Sequence, residues 1–174
     1  KFDAGVGVAN GTDALEILIT ALDLKGKKIL VPDNSFFATA EAVVNTGNIP
    51  ILASPSQETH TLTYDQVKAV PNDAYDAVIF VSLYGNVSGL RKLSEYLRNQ
   101  KKIIIVDAAQ SHGARIDGLG ISKYCEGASY SFYPGKNLGA FGDAGAVLSN
   151  DLPLLERVKL IANHGRKEKY LHQL

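Results

Sequence analysis

Four kinds of residue in this sequence could do chemistry together. Lys136 sits in the stretch 131–139, Ser-Phe-Tyr-Pro-Gly-Lys-Asn-Leu-Gly, between a short aromatic run and a glycine-rich return. Pro134 fixes one backbone angle ahead of it, and Gly135 permits an unusual one beside it. A lysine held this way is either a solvated turn or a covalent catalyst, and alone it reads as the former. Asp107 closes a run of four branched apolar residues, Ile103 to Val106. A carboxylate there needs a partner: a loop N–H, Arg115, or a cationic group on a bound ligand. Gly11-Thr12 opens a helical pattern, where free backbone N–H groups and the helix dipole favour an anion. Phe36 supplies a flat apolar face in a polar loop.

These residues acquire a common address once the elements are laid out. Apolar runs and turn residues predict strands over 6–9, 28–32, 49–53, 77–81, 103–107, 128–132 and 145–148. Helical spacing predicts helices over 13–22, 38–45, 64–70, 90–97 and 152–162, the first capped by Thr12 or Asp13. Strands alternating with helices imply a three-layer αβα architecture around a mostly parallel seven-stranded sheet. In such sheets ligands bind beyond the carboxyl ends of the strands. The residues just past predicted strand ends are Gly11-Thr12, Ser35-Phe36, the stretch 82–84, the stretch 107–110 and the stretch 131–136. A phosphate site, an acidic partner for a ring nitrogen, an aromatic face and a tightly held lysine match the needs of pyridoxal 5'-phosphate.

Composition narrows the alternatives. The 174 residues suffice for one domain with a substantial core. Eighteen basic residues balance eighteen acidic ones, which argues against a general attraction to nucleic acid or to an anionic membrane. Cys125, the single cysteine, cannot form an internal disulfide, so a reducing cytoplasmic setting is the expectation. No His or Cys pair has metal-ligand spacing, and no metal is expected. There is no leader pattern and no apolar run of membrane-spanning length. The absence of methionine and the start at Lys1 suggest a part of a longer protein.

Several ordered motifs carry a resemblance to the DegT/DnrJ/EryC1/StrS family of sugar aminotransferases that use pyridoxal phosphate. They are Val8-Ala9-Asn10-Gly11-Thr12-Asp13-Ala14-Leu15, the stretch 32–40, and Asp107-Ala108-Ala109-Gln110-Ser111-His112-Gly113-Ala114. The stretch 131–139, Gly142-Asp143-Ala144-Gly145 and Asn163-His164-Gly165 complete the set. The resemblance covers nearly the whole chain. It implies the large, cofactor-binding domain over 1–174, with a small C-terminal domain lying outside it.

The resemblance also assigns roles. Lys136 corresponds to the lysine joined to the cofactor aldehyde, and Asp107 to the carboxylate on the ring nitrogen. Gln110 corresponds to the side chain near the ring's phenolic oxygen. Ser131 and Thr12, with the Gly11 backbone, correspond to phosphate ligands, and Phe36 to the aromatic residue on the ring face. The implied activity moves an amino group, with glutamate as donor and a nucleotide-linked keto sugar as acceptor, in a homodimer. A keto-sugar dehydratase of this family would carry histidine in place of Lys136. A non-catalytic sensor or partner-binding domain is the reading from a different class. The family pattern has two glycines where this chain has Ala144-Gly145, so crowding between backbones is expected there. His112 is expected to pack or to approach the ligand, and Tyr84-Gly85 to pack or to line the pocket.

Overall fold

The computed structural model describes residues 4–168 and 171–172. In chain order the elements are β1 (Ala4–Val8), α1 (Gly11–Ala21), β2 (Lys28–Pro32), α2 (Phe37–Asn45) and β3 (Ile49–Ala53). Next come α3 (Tyr64–Ala69), β4 (Ala77–Val81), α4 (Leu90–Asn99), β5 (Ile103–Asp107), β6 (Arg115–Ile116) and β7 (Leu119–Gly120). The chain continues through β8 (Gly127–Ser131), β9 (Gly145–Ser149), α5 (Leu152–Ala162), β10 (Arg166–Glu168) and β11 (Leu171–His172).

Seven strands form one sheet in the order β1-β9-β8-β5-β4-β2-β3. The pairs β2–β3, β2–β4, β4–β5 and β5–β8 are parallel, while β9 is antiparallel to both its neighbours. Only β9 therefore runs against the rest, and the carboxyl ends of β1, β2, β4, β5 and β8 share one edge. Successive strand residues point to opposite faces, and the two cores follow that alternation. Ala77, Ile79 and Val81 pack with Ile105 under Leu15, Leu18, Val43 and Leu155, from α1, α2 and α5. Val78 and Phe80 pack with Ile104 and Val106 under Val67, Leu90, Leu93 and Leu97, from α3 and α4. The unbroken apolar runs of β4 and β5 are the signature of strands covered on both faces.

The seven predicted strands are the seven strands of this sheet, and helices form in all five predicted places. Some ends differ. Helix α1 begins at Gly11 and is capped by Asn10, whose Oδ1 accepts from the Asp13 N–H at 2.9 Å. The predicted caps, Thr12 and Asp13, lie inside the first turn because Asn10 already takes the extended cap conformation. Strand β8 ends at Ser131, one residue short of the prediction, since the Phe132 carbonyl accepts from Ala140 and closes a loop instead. The short ladders β6–β7 and β10–β11 had no counterpart in the sequence reading; two or three residues per strand leave no periodicity to detect.

Candidate active site

One cleft of about 720 Å³ opens at the shared strand edge, and all seven residues singled out from the sequence line it: Gly11, Thr12, Phe36, Asp107, Gln110, Ser131 and Lys136. The order β1-β9-β8-β5 makes this possible, bringing residues over a hundred positions apart to adjacent strand ends.

At one end of the cleft, α1 meets Ser131. Of the first four N–H groups of the helix, that of Asp13 goes to Asn10 Oδ1 and that of Ala14 to the Asn10 carbonyl at 3.1 Å. Those of Gly11 and Thr12 remain as donors at the positive end of the helix dipole. Two glycines set this approach. A Cβ on Gly11 would lie 2.6 Å from the Ser131 Cβ, and one on Gly145 would lie 2.1 Å from the Asn10 carbonyl oxygen. Gly145 pairs with Val8 on one side and Ser131 on the other, so its bare backbone lets the helix start settle against the end of β8. The close approach expected at Ala144-Gly145 falls on the retained Gly145, while the Ala144 carbonyl accepts from the Phe132 N–H at 2.7 Å.

Ser131 is held from behind. Its carbonyl receives a hydrogen bond from His112 Nε2 at 2.8 Å, which requires the tautomer protonated on Nε2. The His112 ring lies between Tyr130 and Phe132, at 5.5 and 5.4 Å between centroids, and its Nδ1 is buried without a partner. His112 therefore packs and supports Ser131; it does not line the cleft.

At the centre, Asp107 is buried at 8% exposure. Its Oδ1 accepts from the Ala109 N–H at 3.1 Å and its Oδ2 from the Thr39 hydroxyl at 3.0 Å. The loop N–H anticipated as a partner is present. Arg115 is not one: its guanidinium donates to the Gly118 carbonyl instead. Burial pushes the Asp107 carboxyl above the usual carboxylate range, while the Ala109 N–H, the Thr39 hydroxyl and the Lys136 charge pull it back down. A cationic group in the cleft would oppose the cost of burial in the same way.

Lys136 rides on a closed loop. The Ala140 N–H donates to the Phe132 carbonyl at 2.7 Å and the Lys136 N–H to the Tyr133 carbonyl at 2.8 Å. Gly139 makes the return possible, since a Cβ there would sit 2.5 Å from the Pro134 carbonyl oxygen. Gly135 plays no such part: it takes no positive φ, and a Cβ would meet only the Tyr133 ring at 3.8 Å. Glycine is required in this loop at Gly139, and for space: neither Gly135 nor Gly139 takes a positive φ. Phe36, 74% exposed, caps the backbone entry to α2 and presents its ring at the cleft.

Thr39 escaped the sequence reading. It looks like any helical threonine, and only the fold reveals that its hydroxyl reaches across 68 positions to Asp107. Ser82, singled out in sequence just past the end of β4, is tied to the same strand: its N–H and Oγ both donate to the Asp107 carbonyl, at 3.0 and 2.9 Å.

The donor set fits a ligand with an anion at one end, a cationic ring nitrogen at the centre and a carbonyl carbon within reach of an amine. Its relatives have matching scaffolds. Residues 2–174 match the profile of the DegT/DnrJ/EryC1/StrS aminotransferase family. The chain is 38% identical to the erythromycin biosynthesis sensory transduction protein EryC1 of Saccharopolyspora erythraea, over 97% of this chain and 46% of the relative. It is also 38% identical to a dTDP-3-amino-3,4,6-trideoxy-alpha-D-glucose transaminase of Streptomyces venezuelae, over 98% of this chain and 45% of that protein. The crystal structure of S. venezuelae DesV in complex with a ketimine intermediate superposes with a TM-score of 0.92, at 38% identity, covering 100% of this chain and 47% of DesV. The chain thus spans a little under half the length of these relatives. On the profile match and the shared fold together, the chain belongs to the DegT/DnrJ/EryC1/StrS aminotransferase family.

Proposed function

We propose that this chain is the cofactor-binding part of an aminotransferase that uses pyridoxal 5'-phosphate and forms amino sugars on a nucleotide carrier. The observation that carries the reading is the convergence of Lys136, Asp107, Ser131 and the start of α1 on one cleft. Bound there, pyridoxal phosphate supplies an aldehyde and a ring that accepts electrons. The chain's own residues do the rest. The Gly11 and Thr12 N–H groups and the Ser131 hydroxyl would hold the phosphate. Asp107 would keep a proton on the ring nitrogen, Gln110 would meet the phenolic oxygen, and Phe36 would cover a ring face. Lys136 Nζ would hold the aldehyde end and, as a free amine, is the group placed to move a proton between the donor's α-carbon and the cofactor carbon, the work of a general base and acid.

The overall exchange is balanced by two half-reactions at one site: glutamate becomes 2-oxoglutarate, and a nucleotide-linked keto sugar becomes the amino sugar. The transaminase from S. venezuelae, named for a dTDP-linked amino sugar, supports that acceptor class. We assign the protein to the cytoplasm as a homodimer, the second subunit closing the exposed side of the cleft. Among the described residues no helix is long and apolar enough to cross a membrane.

Incubation of the protein with pyridoxal phosphate, glutamate and a dTDP-linked keto sugar tests the reading. Equimolar 2-oxoglutarate and amino sugar are expected. A folded protein that binds the cofactor without turnover would favour the second reading, a sensor domain, for which the name of EryC1 is the supporting observation.

A further inference from the structure

The turn after β4 holds a strained residue that side-chain packing does not explain. Tyr84 has φ 56° and ψ 21°, in the left-handed region that a Cβ disfavours. Its side chain is 80% exposed. Its ring meets His60 edge-on, at 6.3 Å between centroids. No buried ring anchors the backbone in this conformation.

What the conformation achieves is a backbone contact. The Tyr84 N–H donates to Gln110 Oε1 at 2.7 Å. The turn around it is fitted to the segment that carries Gln110. Ser82 donates twice to the Asp107 carbonyl, and Ser82 Oγ lies 2.6 Å from Ser111 Oγ. Gly85 follows with φ 80° and donates to the Ser82 carbonyl at 3.1 Å. A Cβ on Gly85 would lie 3.3 Å from the Gln110 carbonyl oxygen. The turn is therefore seated against Gln110 on both its backbone and its side chain.

A primary amide has an acceptor end and a donor end. With Oε1 committed to Tyr84, Nε2 is the end left to meet a ligand. Gln110 lines the main cleft and also a neighbouring cavity of about 460 Å³ bounded by Tyr84, Gly135, Lys136 and Asn137. We propose that Tyr84 is a positioning residue that works through its backbone: its left-handed conformation locks the Gln110 amide with Nε2 as the ligand-facing donor. The site is then selective for a ligand oxygen that accepts, a ring phenolate, over a hydroxyl that must donate. This inference rests on the reading that the cleft holds pyridoxal phosphate.

Substitutions at 84 separate backbone from side chain. Tyr84→Gly and Tyr84→Val both remove the ring, but glycine adopts the left-handed conformation freely and a branched residue resists it. The readouts are cofactor affinity, by fluorescence titration of the cofactor-free protein, and the pH at which the bound chromophore changes its absorption band. Tyr84→Gly is expected to stay within about twofold of the unsubstituted protein. Tyr84→Val is expected to bind about tenfold more weakly, with the band change moved to higher pH. Equal losses in both variants would overturn the proposal and assign the role to the ring; no loss in Tyr84→Val would overturn it as well. Should Tyr84→Val not fold, Gln110→Glu decides on an intact turn. Its carboxylate still accepts from Tyr84 but offers no donor, so a loss of about tenfold is expected, and retained affinity contradicts the lock. Failure of the underlying cofactor reading would look different: the unsubstituted protein itself would not bind pyridoxal phosphate.

Discussion

Thr39 and Asp107 share a buried hydrogen bond of 3.0 Å although 68 positions separate them. The donor comes from α2, on one side of the sheet, and the acceptor from the end of β5 within it. Together with the Ala109 N–H, it leaves each Asp107 oxygen with one protein donor and spare accepting capacity. Both donors oppose the burial that disfavours the charged carboxylate, as a cationic ligand would. Hydrogen bonds to charged groups contribute roughly 1.5–3 kcal/mol. Replacing Thr39 with valine, of similar shape but without the donor, is therefore expected to weaken pyridoxal phosphate binding by about 10- to 100-fold. Thr39→Ser should restore most of it. Equilibrium dialysis of the three proteins measures this, and equal affinity in all three would remove Thr39 from the site.

Asp107 also gives the cofactor-free protein a distinctive dependence on pH. Burial raises its folded-state pKa above the ordinary carboxyl value. Below the unfolded pKa both states are protonated and there is no penalty. As pH rises, the unfolded chain releases its proton first, so stability falls through the window from the ordinary carboxyl range up to the raised folded value. Asp107→Asn removes the titration. The variant is expected to melt higher than the unsubstituted cofactor-free protein at neutral pH. The gap should close in acid. The same variant should bind pyridoxal phosphate poorly, so stability and affinity move in opposite directions. Thermal melts between pH 4 and 8 follow the first and titration the second.

The glycines of the site are not equivalent. Gly139→Ala and Gly145→Ala place a methyl group 2.5 and 2.1 Å from backbone oxygens, of Pro134 and Asn10 respectively. Backbone yields less readily than a flexible side chain, and each change is expected to cost at least about 1–3 kcal/mol. Gly135→Ala, with its nearest neighbour at 3.8 Å and no positive φ, should melt within about 0.5 kcal/mol of the unsubstituted protein. Chemical denaturation of the three variants checks the ranking. A destabilised Gly135→Ala with an unaffected Gly139→Ala would mean that the lysine loop closes differently.

Much of this was legible in the sequence because the signals were local. The runs 77–81 and 103–106 are continuous and apolar, which marks strands covered on both faces, and strands appear over 77–81 and 103–107. Asp107 and Ser131 close strands, and Gly11 and Lys136 come shortly after strand ends, so the rule for parallel sheets gathered them without any view of the fold. What stayed hidden depends on tertiary approach. Gly135 and Gly139 look alike in sequence, and only the return of the loop onto Pro134 shows which is indispensable. Thr39 resembles an ordinary helix residue until the sheet brings Asp107 beneath it. Tyr84 gives no hint of a positive φ, because tyrosine has no preference for one; its hydrogen bond to Gln110 appears only in the fold. Asn10 displaced Thr12 as the helix cap by a matter of two positions, within the ordinary uncertainty of helix ends.

We propose Lys136 as the covalent attachment point at this cleft. Reduction of the protein with borohydride after loading with pyridoxal phosphate, followed by peptide mass analysis, is expected to give a pyridoxyl-phosphate adduct on the peptide containing Lys136 and none in Lys136→Ala. An adduct on a different lysine, or one that persists unchanged in Lys136→Ala, would contradict it.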